Sequence, residues 1–268
     1  MRISKNDPTQ QAGSAPHVLR ANGCAAWQLP PDETCPAVAR TQVKGVLLAL
    51  LMPEELVRDA TTIVSELATN VFTHALGGRA PAATPIPALP ELHLYRRGVR
   101  PQIVVKVFDT SPWRGAFPPG PLRPGPEAES GRGLGIVDAL VREHSGRWGV
   151  HRTRSRLAPT PTSGKAAYFA LPVPLAAPAL SPAPSRPDCA QAARQLENAL
   201  AARGLLRMHR CEAGNMAVLS IRTEITVWAR DNAFHVTMPT TGTVRYPLSD
   251  ITEVTEAIVH CNEDLNAR

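Results

Sequence analysis

The sequence predicts an α+β protein in which a layer of helices packs against a largely antiparallel sheet, followed by a second, smaller α+β domain. One observation is a helical pattern of apolar residues before position 76, followed by a β-branched, strand-like pattern that ends near position 109. Another is the abundance of proline, 27 of 268 residues, about twice the usual share. Because proline interrupts regular elements, its clusters at 81–90, 112–126 and 159–187 are expected to mark loops and linkers.

The helices of the first part are delimited by capping residues and helix breakers. Asp32 can cap a helix over residues 33–51, and a second helix is expected over 53–76, with proline at its start and two glycines at its end. A third helix is expected after residue 135. The apolar residues of the second helix recur with helical spacing, so that face is expected to lie on the core.

The strands are expected between the helices and the proline clusters. Residues 91–96 and 102–109 are interpreted as a hairpin, since Gly98 separates two strand-forming segments. Further strands are expected at 25–29, 147–151 and 166–171. A helix layer over such a sheet is a two-layer sandwich.

The same reasoning sets the expected domain boundaries. Residues 1–21 are interpreted as a disordered tail, 22–175 as the first domain, 176–187 as a Pro/Ala linker and 188–268 as a small α+β domain. Two helices with four short strands between them are expected in this last domain. Nothing in it resembles a reaction centre, so its expected role is structural or partner-binding.

Composition argues against several classes of function. The net charge is +6, but the densest basic stretch, 147–156, contains one aromatic residue, too few for a base-stacking platform, so no direct nucleic-acid binding is expected. Five cysteines without C-x-x-C spacing favour reduced thiols over a zinc site or a disulfide framework. The longest apolar run, 46–52, is far shorter than the ~20 residues of a membrane span, so a cytoplasmic protein without membrane association is expected.

Three polar residues recur along the second helix. Glu66, Asn70 and His74 are spaced i, i+4, i+8, so they form a stripe beside the apolar face. A carboxylate and an amide one turn apart can hold a hydrated Mg²⁺ ion and orient a water or hydroxyl group. The alternative interpretation is the solvated polar edge of an amphipathic helix.

Asp109 ends a strongly β-forming segment and is followed by Thr110, Ser111 and Pro112. A carboxylate at such a strand end can accept a hydrogen bond from an exocyclic amine, which is one way for a pocket to recognise adenine. A turn-forming aspartate at the end of a strand is the alternative.

A glycine-rich segment, Gly131-Arg132-Gly133-Leu134-Gly135, leads into the third helix. Glycine lets backbone N–H groups approach phosphate oxygens, and the helix dipole favours an anion at this end. The segment is neither a Walker A loop nor a dinucleotide fingerprint. A flexible loop without a ligand is the alternative.

The order of these three motifs resembles the N box and the two G boxes of the GHKL superfamily of ATPases and kinases. Within it, the chain is most similar to the anti-sigma-factor serine kinases over about residues 25–173. The similar segments are SELATNVFTHA (65–75), VKVFDTSP (105–112), GRGLGIVDALV (131–141), RWGV (147–150) and GKAAYFAL (164–171).

This resemblance implies a Bergerat-type sandwich with ATP between the helix layer and a lid at 111–130. The implied roles are Glu66 as general base, Asn70 as Mg²⁺ ligand, Asp109 as reader of adenine, and Gly131, Arg132, Gly133, Leu134 and Gly135 as the phosphate-side loop; His74 is assigned to packing or capping. Two departures are evident. Asp109 is followed by T-S-P rather than the x-G-x-G common in the superfamily, and Lys165 stands where a threonine often follows the glycine.

The resemblance also implies an activity and partners. The expected function is that of an ATP- and Mg²⁺-dependent serine kinase that phosphorylates an anti-anti-sigma (STAS-type) protein and controls a sigma factor. A homodimer is implied only by analogy. The alternative is a non-catalytic module whose ATP site gates the docking of a transcription regulator.

Overall fold

A computed structural model of the chain describes residue 19 and residues 23–77, 88–112, 132–173 and 188–268. Three expected segments lie wholly or largely outside these ranges: the tail at 1–21, the lid at 111–130 and the linker at 176–187. Within the described ranges the chain forms two antiparallel sheets and five α-helices. The predicted α+β architecture is thereby confirmed.

The first sheet contains five strands in the order β1-β2-β3-β5-β4. They are β1 (Cys24–Gln28), β2 (Glu91–Arg97), β3 (Gln102–Asp109), β4 (Arg147–Arg154) and β5 (Ser163–Pro172). All four pairings between these strands are antiparallel, and β2 and β3 form the predicted hairpin. Because β3 pairs with β5, Asp109 at the end of β3 lies opposite Lys165 near the start of β5.

Three helices pack on one face of this sheet: α1 (Cys35–Ala49), α2 (Glu54–Asn70) and α3 (Arg132–Glu143). Alternate residues of the strands, such as Leu94, Val105 and Phe169, point into the same core as Ile63 and Leu67 of α2. Burying a side chain of this size contributes about 1.5–3 kcal/mol. The apolar face of α2 thus lies on the core, as its spacing predicts.

The end of α2 differs from the prediction. A single α-helix was expected to residue 76, but α2 ends at Asn70 and the chain continues as a π-helical turn, Val71–Ala75. The wider turn is closed by the N–H of Leu76, which donates to the carbonyl of Val71 at 3.1 Å. Such turns inside helices occur frequently at functional sites.

The second sheet is a meander of five strands in the order β10-β9-β8-β7-β6. They are β6 (His209–Ala213), β7 (Met216–Arg222), β8 (Ile225–Arg230), β9 (Ala233–Met238) and β10 (Gly242–Pro247), flanked by α4 (Cys189–Ala202) and α5 (Ile251–Asn266). The prediction of four strands is wrong because β10 was missed. It is a largely exposed edge strand bounded by glycine and proline, and it lacks the apolar alternation that identifies a half-buried strand.

Two further expectations concern the state of the cysteines and the presence of membrane-spanning helices. All five cysteines are free, and only Cys211 is exposed. Burial, with a smaller contribution from Asp32, raises the pKa of the Cys35 thiol to about 11. In the part of the chain that the structure describes, no helix is both long enough and apolar enough to cross a membrane.

Helix α5 covers the second face of the first sheet as well as packing within its own domain. It contacts β2 and β4 on one side and α4 and β9 on the other. The sheet face beneath it is polar, with Glu91, His93, Lys106 and Thr153 all buried. Strands β2 and β3 are therefore buried on both faces along most of their length.

Glu256 of α5 is the centre of this contact. Its side chain is 4% exposed and accepts hydrogen bonds from Lys106 at 3.1 Å, from Arg156 at 3.0 Å and from Arg203. Arg203 also donates to the hydroxyl of Thr153 at 3.0 Å. Three cations thus share one buried carboxylate, which compensates for part of the cost of removing them from water.

Further polar bonds surround the Glu256 cluster. Tyr95 and Arg97 both donate to Glu253, at 2.7 and 2.8 Å. Arg154 donates to Glu263 at 2.7 Å. These bonds join β2 and β4 of the first sheet to successive turns of α5, so the contact extends along the helix.

We expect Glu256→Gln to lower the free energy of unfolding by about 3–5 kcal/mol at neutral pH, because it leaves three cations facing a neutral amide. Urea denaturation followed by circular dichroism measures the change. Glu55→Gln serves as the control, since the Glu55–Arg58 pair is exposed and is expected to contribute little. An unfolding midpoint for Glu256→Gln equal to that of the wild type would contradict this description of the contact.

The same variant has an expected pH dependence. Burial alone would raise the pKa of Glu256, but Arg203, Lys106 and Arg156 hold this pKa well below its ordinary value. A carboxyl with a lowered folded-state pKa stabilises the protein above its unfolded pKa of about 4.3, and this contribution is lost as the pH falls towards the folded pKa. The stability difference between wild type and Glu256→Gln is therefore expected to shrink below about pH 4.

Candidate functional site

Glu66 and Gly133 meet where the end of α2 faces the start of α3. Glu66 is half-buried, and a Cβ atom placed on Gly133 would lie 2.5 Å from its Oε2 atom. Glycine at this position therefore lets the carboxylate lie directly against the backbone of the first turn of α3. The structure thus brings together two predicted site residues from separate motifs.

Asn70 lies one helical turn beyond Glu66, as the last residue of α2, and is also half-buried. The π-helical turn that follows contacts β3. His74 lies in that turn with an exposed side chain, where a basic group faces the carbonyl end of the helix. The exposure of this side chain argues against the packing role, whereas the capping role remains a prediction.

Asp109 is almost fully buried at the end of β3, and the described residues that donate to its carboxylate all bind one oxygen. Its Oδ1 atom accepts from the backbone N–H of Ser111 at 2.8 Å, from the Ser111 hydroxyl at 2.5 Å and from the Lys165 ammonium at 2.6 Å. Among the described residues, none donates to Oδ2. The aspartate is therefore a turn-forming residue through Oδ1.

Lys165 reaches Asp109 because the two strands approach closely. A Cβ atom on Gly164 would overlap the carbonyl oxygen of Asp109 and the ring of Phe108. Lys165, opposite Asp109 in the register, then extends its ammonium group to the carboxylate and to the Ser111 carbonyl, 3.2 Å away. Reasoning from sequence noted the lysine as a departure, but only the strand pairing shows that it forms an ion pair.

The glycine-rich segment was expected to precede its helix, and this expectation is wrong: α3 begins at Arg132. Gly133, Leu134 and Gly135 therefore form the first turn, whereas Gly131 lies outside the described residues. The first N–H groups of a helix have no acceptor within the helix, so a helical start still offers them to an anion. Leu134 packs against the core and fixes the orientation of this turn.

Sequence reasoning missed the residues that hold α3 beside α2. Asp59 of α2 is 4% exposed, and its carboxylate lies 2.9 Å from the Nε2 atom of His144, which follows α3. Burial alone would raise the pKa of Asp59, but hydrogen bonds from His144 and Arg58 lower it below its ordinary value. In the middle of α3, Asp138 accepts a hydrogen bond from the indole of Trp148 at 3.0 Å, which joins the helix to β4. No spacing in the sequence indicates these pairs.

Comparison with known proteins agrees with this arrangement. A family model of the histidine kinase-like ATPase domain matches residues 11–156, just over half of the chain, including every predicted site residue. No curated protein matches the chain. The helix layer, the antiparallel sheet and the matched residues together show a GHKL-type α/β sandwich with an ATP-binding function. The chain belongs to the histidine kinase-like ATPase family.

Proposed function

We propose that the chain is an ATP- and Mg²⁺-dependent protein serine kinase of the anti-sigma type, which phosphorylates an anti-anti-sigma (STAS-type) protein and thereby controls transcription. The observation that carries this proposal is the Glu66 carboxylate beside the first turn of α3. A binding module needs no carboxylate at this point. A phosphotransfer enzyme needs one close to the phosphates.

Glu66 is the general base in this proposal. As the serine oxygen of the partner attacks the γ-phosphorus, the bond from that phosphorus to the β-γ bridging oxygen breaks, ADP leaves, and Glu66 accepts the hydroxyl proton. Most of the rate in such reactions comes from positioning and electrostatic stabilisation. The free N–H groups at the start of α3 supply part of that stabilisation to the phosphate oxygens.

Asn70 is the proposed protein ligand of Mg²⁺. Its amide oxygen lies on the same helix as Glu66, one turn away. In nucleotide sites Mg²⁺ prefers oxygen, keeps several waters and binds phosphates, so one or two protein ligands suffice. When bound, the ion would offset the negative charge of the phosphates.

We propose that Asp109 and Lys165 together form the site that recognises the adenine base. The Oδ2 atom of Asp109, which accepts from none of the described residues, can accept from the exocyclic amine of adenine, while Lys165 holds Oδ1 and orients the carboxylate. The lysine here replaces the threonine common in the superfamily. Its ammonium already donates to Asp109 and to Ser111, so its proposed role is to hold the carboxylate in place.

The proposed partners are a STAS-type protein, a sigma factor, or both. Neither nucleic acid nor a membrane has a role in this proposal, and a homodimer follows only from the analogy with the anti-sigma kinases. The second domain offers a surface for such partners that does not include Glu66 or Asp109. A non-catalytic, ATP-gated module is the competing function. The contact of α5 with the first sheet favours it, because this contact links the second domain to the ATP-binding domain.

Transfer of labelled γ-phosphate from ATP to a purified STAS-type candidate protein tests the proposal. We expect labelling that requires Mg²⁺ and is lost in Glu66→Gln, with ATP affinity retained in that variant. If the chain binds ATP with Mg²⁺ but labels no STAS-type protein encoded beside it or co-purified with it, the kinase proposal is wrong and the gated module is favoured.

We expect Gly133→Ala to lower the phosphotransfer rate by about a hundredfold, because the added methyl group displaces the Glu66 carboxylate from the start of α3. The stability should change little, since the displaced atom is the end of a flexible side chain. Gly45→Ala is the matched control, since Gly45 lies within α1, outside the predicted site, and its Cβ would contact nothing within 4 Å. Equal rates for the two variants would contradict the proposed role of Glu66.

We expect Lys165→Met to weaken ATP binding by about tenfold or more, because Asp109 loses a charged hydrogen bond that orients it. Isothermal titration calorimetry measures the affinity. Lys44→Met, at an exposed position on α1, is the control for removing a lysine and should bind ATP as the wild type does. Tighter ATP binding by Lys165→Met would show that the lysine competes with the base instead.

A further inference from the structure

A cavity of about 370 Å³ lies between the second face of the first sheet and α5. The sheet separates it from the helix layer that carries Glu66, since its wall residues Lys106 and Tyr168 alternate along their strands with Val105 and Phe169 of the helix-side core. Its volume falls within the range of about 300–1,000 Å³ typical of small-molecule sites. Neither the nucleotide site nor the family assignment accounts for it.

Lys106 is the charged group in this cavity with uncommitted donors. Its side chain is 5% exposed, and within the described residues its ammonium makes one hydrogen bond, to Glu256, and lies 5.4 Å from the centroid of the Tyr95 ring. An ammonium group carries three N–H donors, so two remain in a nearly buried position, where unsatisfied donors are costly. Glu256 cannot compensate for Lys106 alone because Arg156 and Arg203 share the same carboxylate. The cluster therefore has more positive than negative charge.

The other charged groups of the wall are already paired. Arg97 is bonded to Glu253, which also accepts from Tyr95. Because this arginine and glutamate offset each other, they leave the excess charge at Lys106 uncompensated. A cation in the cavity would face that excess, whereas an anion would be stabilised by it.

Aromatic rings form the flat part of the wall. The ring of His151 lies 4.9 Å from that of His260 and 5.6 Å from that of Tyr168, centroid to centroid. Burial, with a smaller contribution from Lys106, holds the pKa of His151 well below its ordinary value, so its ring is neutral. Its Nδ1 atom lies 2.8 Å from the Arg152 carbonyl and so carries the hydrogen. These rings offer stacking area without further charge.

We propose that this cavity binds a small aromatic carboxylic acid, with its carboxylate on the Lys106 ammonium and its ring against Tyr168 and His151. The carboxylate satisfies the two remaining donors of Lys106 and offsets the excess charge of the Glu256 cluster. Such a ligand contacts both the first sheet and α5, so it stabilises the packing of the two domains. The proposal does not depend on the kinase function.

Benzoate and benzamidine test the proposal, because they have nearly the same shape and opposite charge. Calorimetric titration of the full chain with each is expected to show binding of benzoate and at least tenfold weaker binding of benzamidine. Benzoate should also raise the Tm in a thermal unfolding experiment. Equal binding of both compounds, binding of inorganic phosphate without benzoate, or no binding of benzoate at millimolar concentration overturns the proposal.

Two variants locate the site. Lys106→Met is expected to weaken benzoate binding at least tenfold, but it also alters the Glu256 cluster. Ala257→Trp instead fills the cavity and removes no charge, so it should abolish benzoate binding while ATP binding persists. Ala202→Trp, at an exposed position at the end of α4, is its control and should bind benzoate as the wild type does. Undiminished benzoate binding by a folded Ala257→Trp protein would place the ligand elsewhere and contradict the proposal.

Discussion

The carboxylate of Glu256 determines how the two domains of this protein fit together. Three cationic partners stabilise this buried carboxylate, and its removal would leave three largely buried cations without their shared acceptor. The partners come from strand β3, from the β4–β5 connection and from the residue after α4. The central strands of the first sheet are consequently covered on both faces, by apolar helices on one and by a polar helix contact on the other.

The hairpin of β4 and β5 links this contact to the proposed nucleotide site. Arg154 and Arg156, at the end of β4 and just beyond it, bond to Glu263 and Glu256 of α5. On the other arm of that hairpin, Lys165 bonds to Asp109. One covalent segment thus joins the second domain to the residues that are proposed to recognise the base. The packing of α5 and the geometry around Asp109 therefore depend on a common element.

Local patterns in the sequence predicted much of the first domain and its candidate site. The amphipathic spacing of α2 placed Glu66 and Asn70 on one side of a helix, and strand propensity placed Asp109 at a strand end. The polar contact between the domains had no such signal. Lys106 stands within a β-branched strand and meets a glutamate 150 positions away, and nothing near either residue indicates the partner. The start of α3 was misjudged because glycine usually ends regular structure, whereas a first helical turn accepts it.

One measurement tests the proposed nucleotide site most directly. It is a calorimetric titration with ATP of the wild-type chain and of the Asp109→Asn variant. The substitution preserves the shape of the side chain but removes the charge that pairs with Lys165 and that is proposed to accept from the adenine amine. The described geometry predicts that wild type binds ATP and that the variant binds at least about tenfold more weakly. Equal affinity of the two proteins for ATP would show that Asp109, at the end of β3, does not recognise the adenine base.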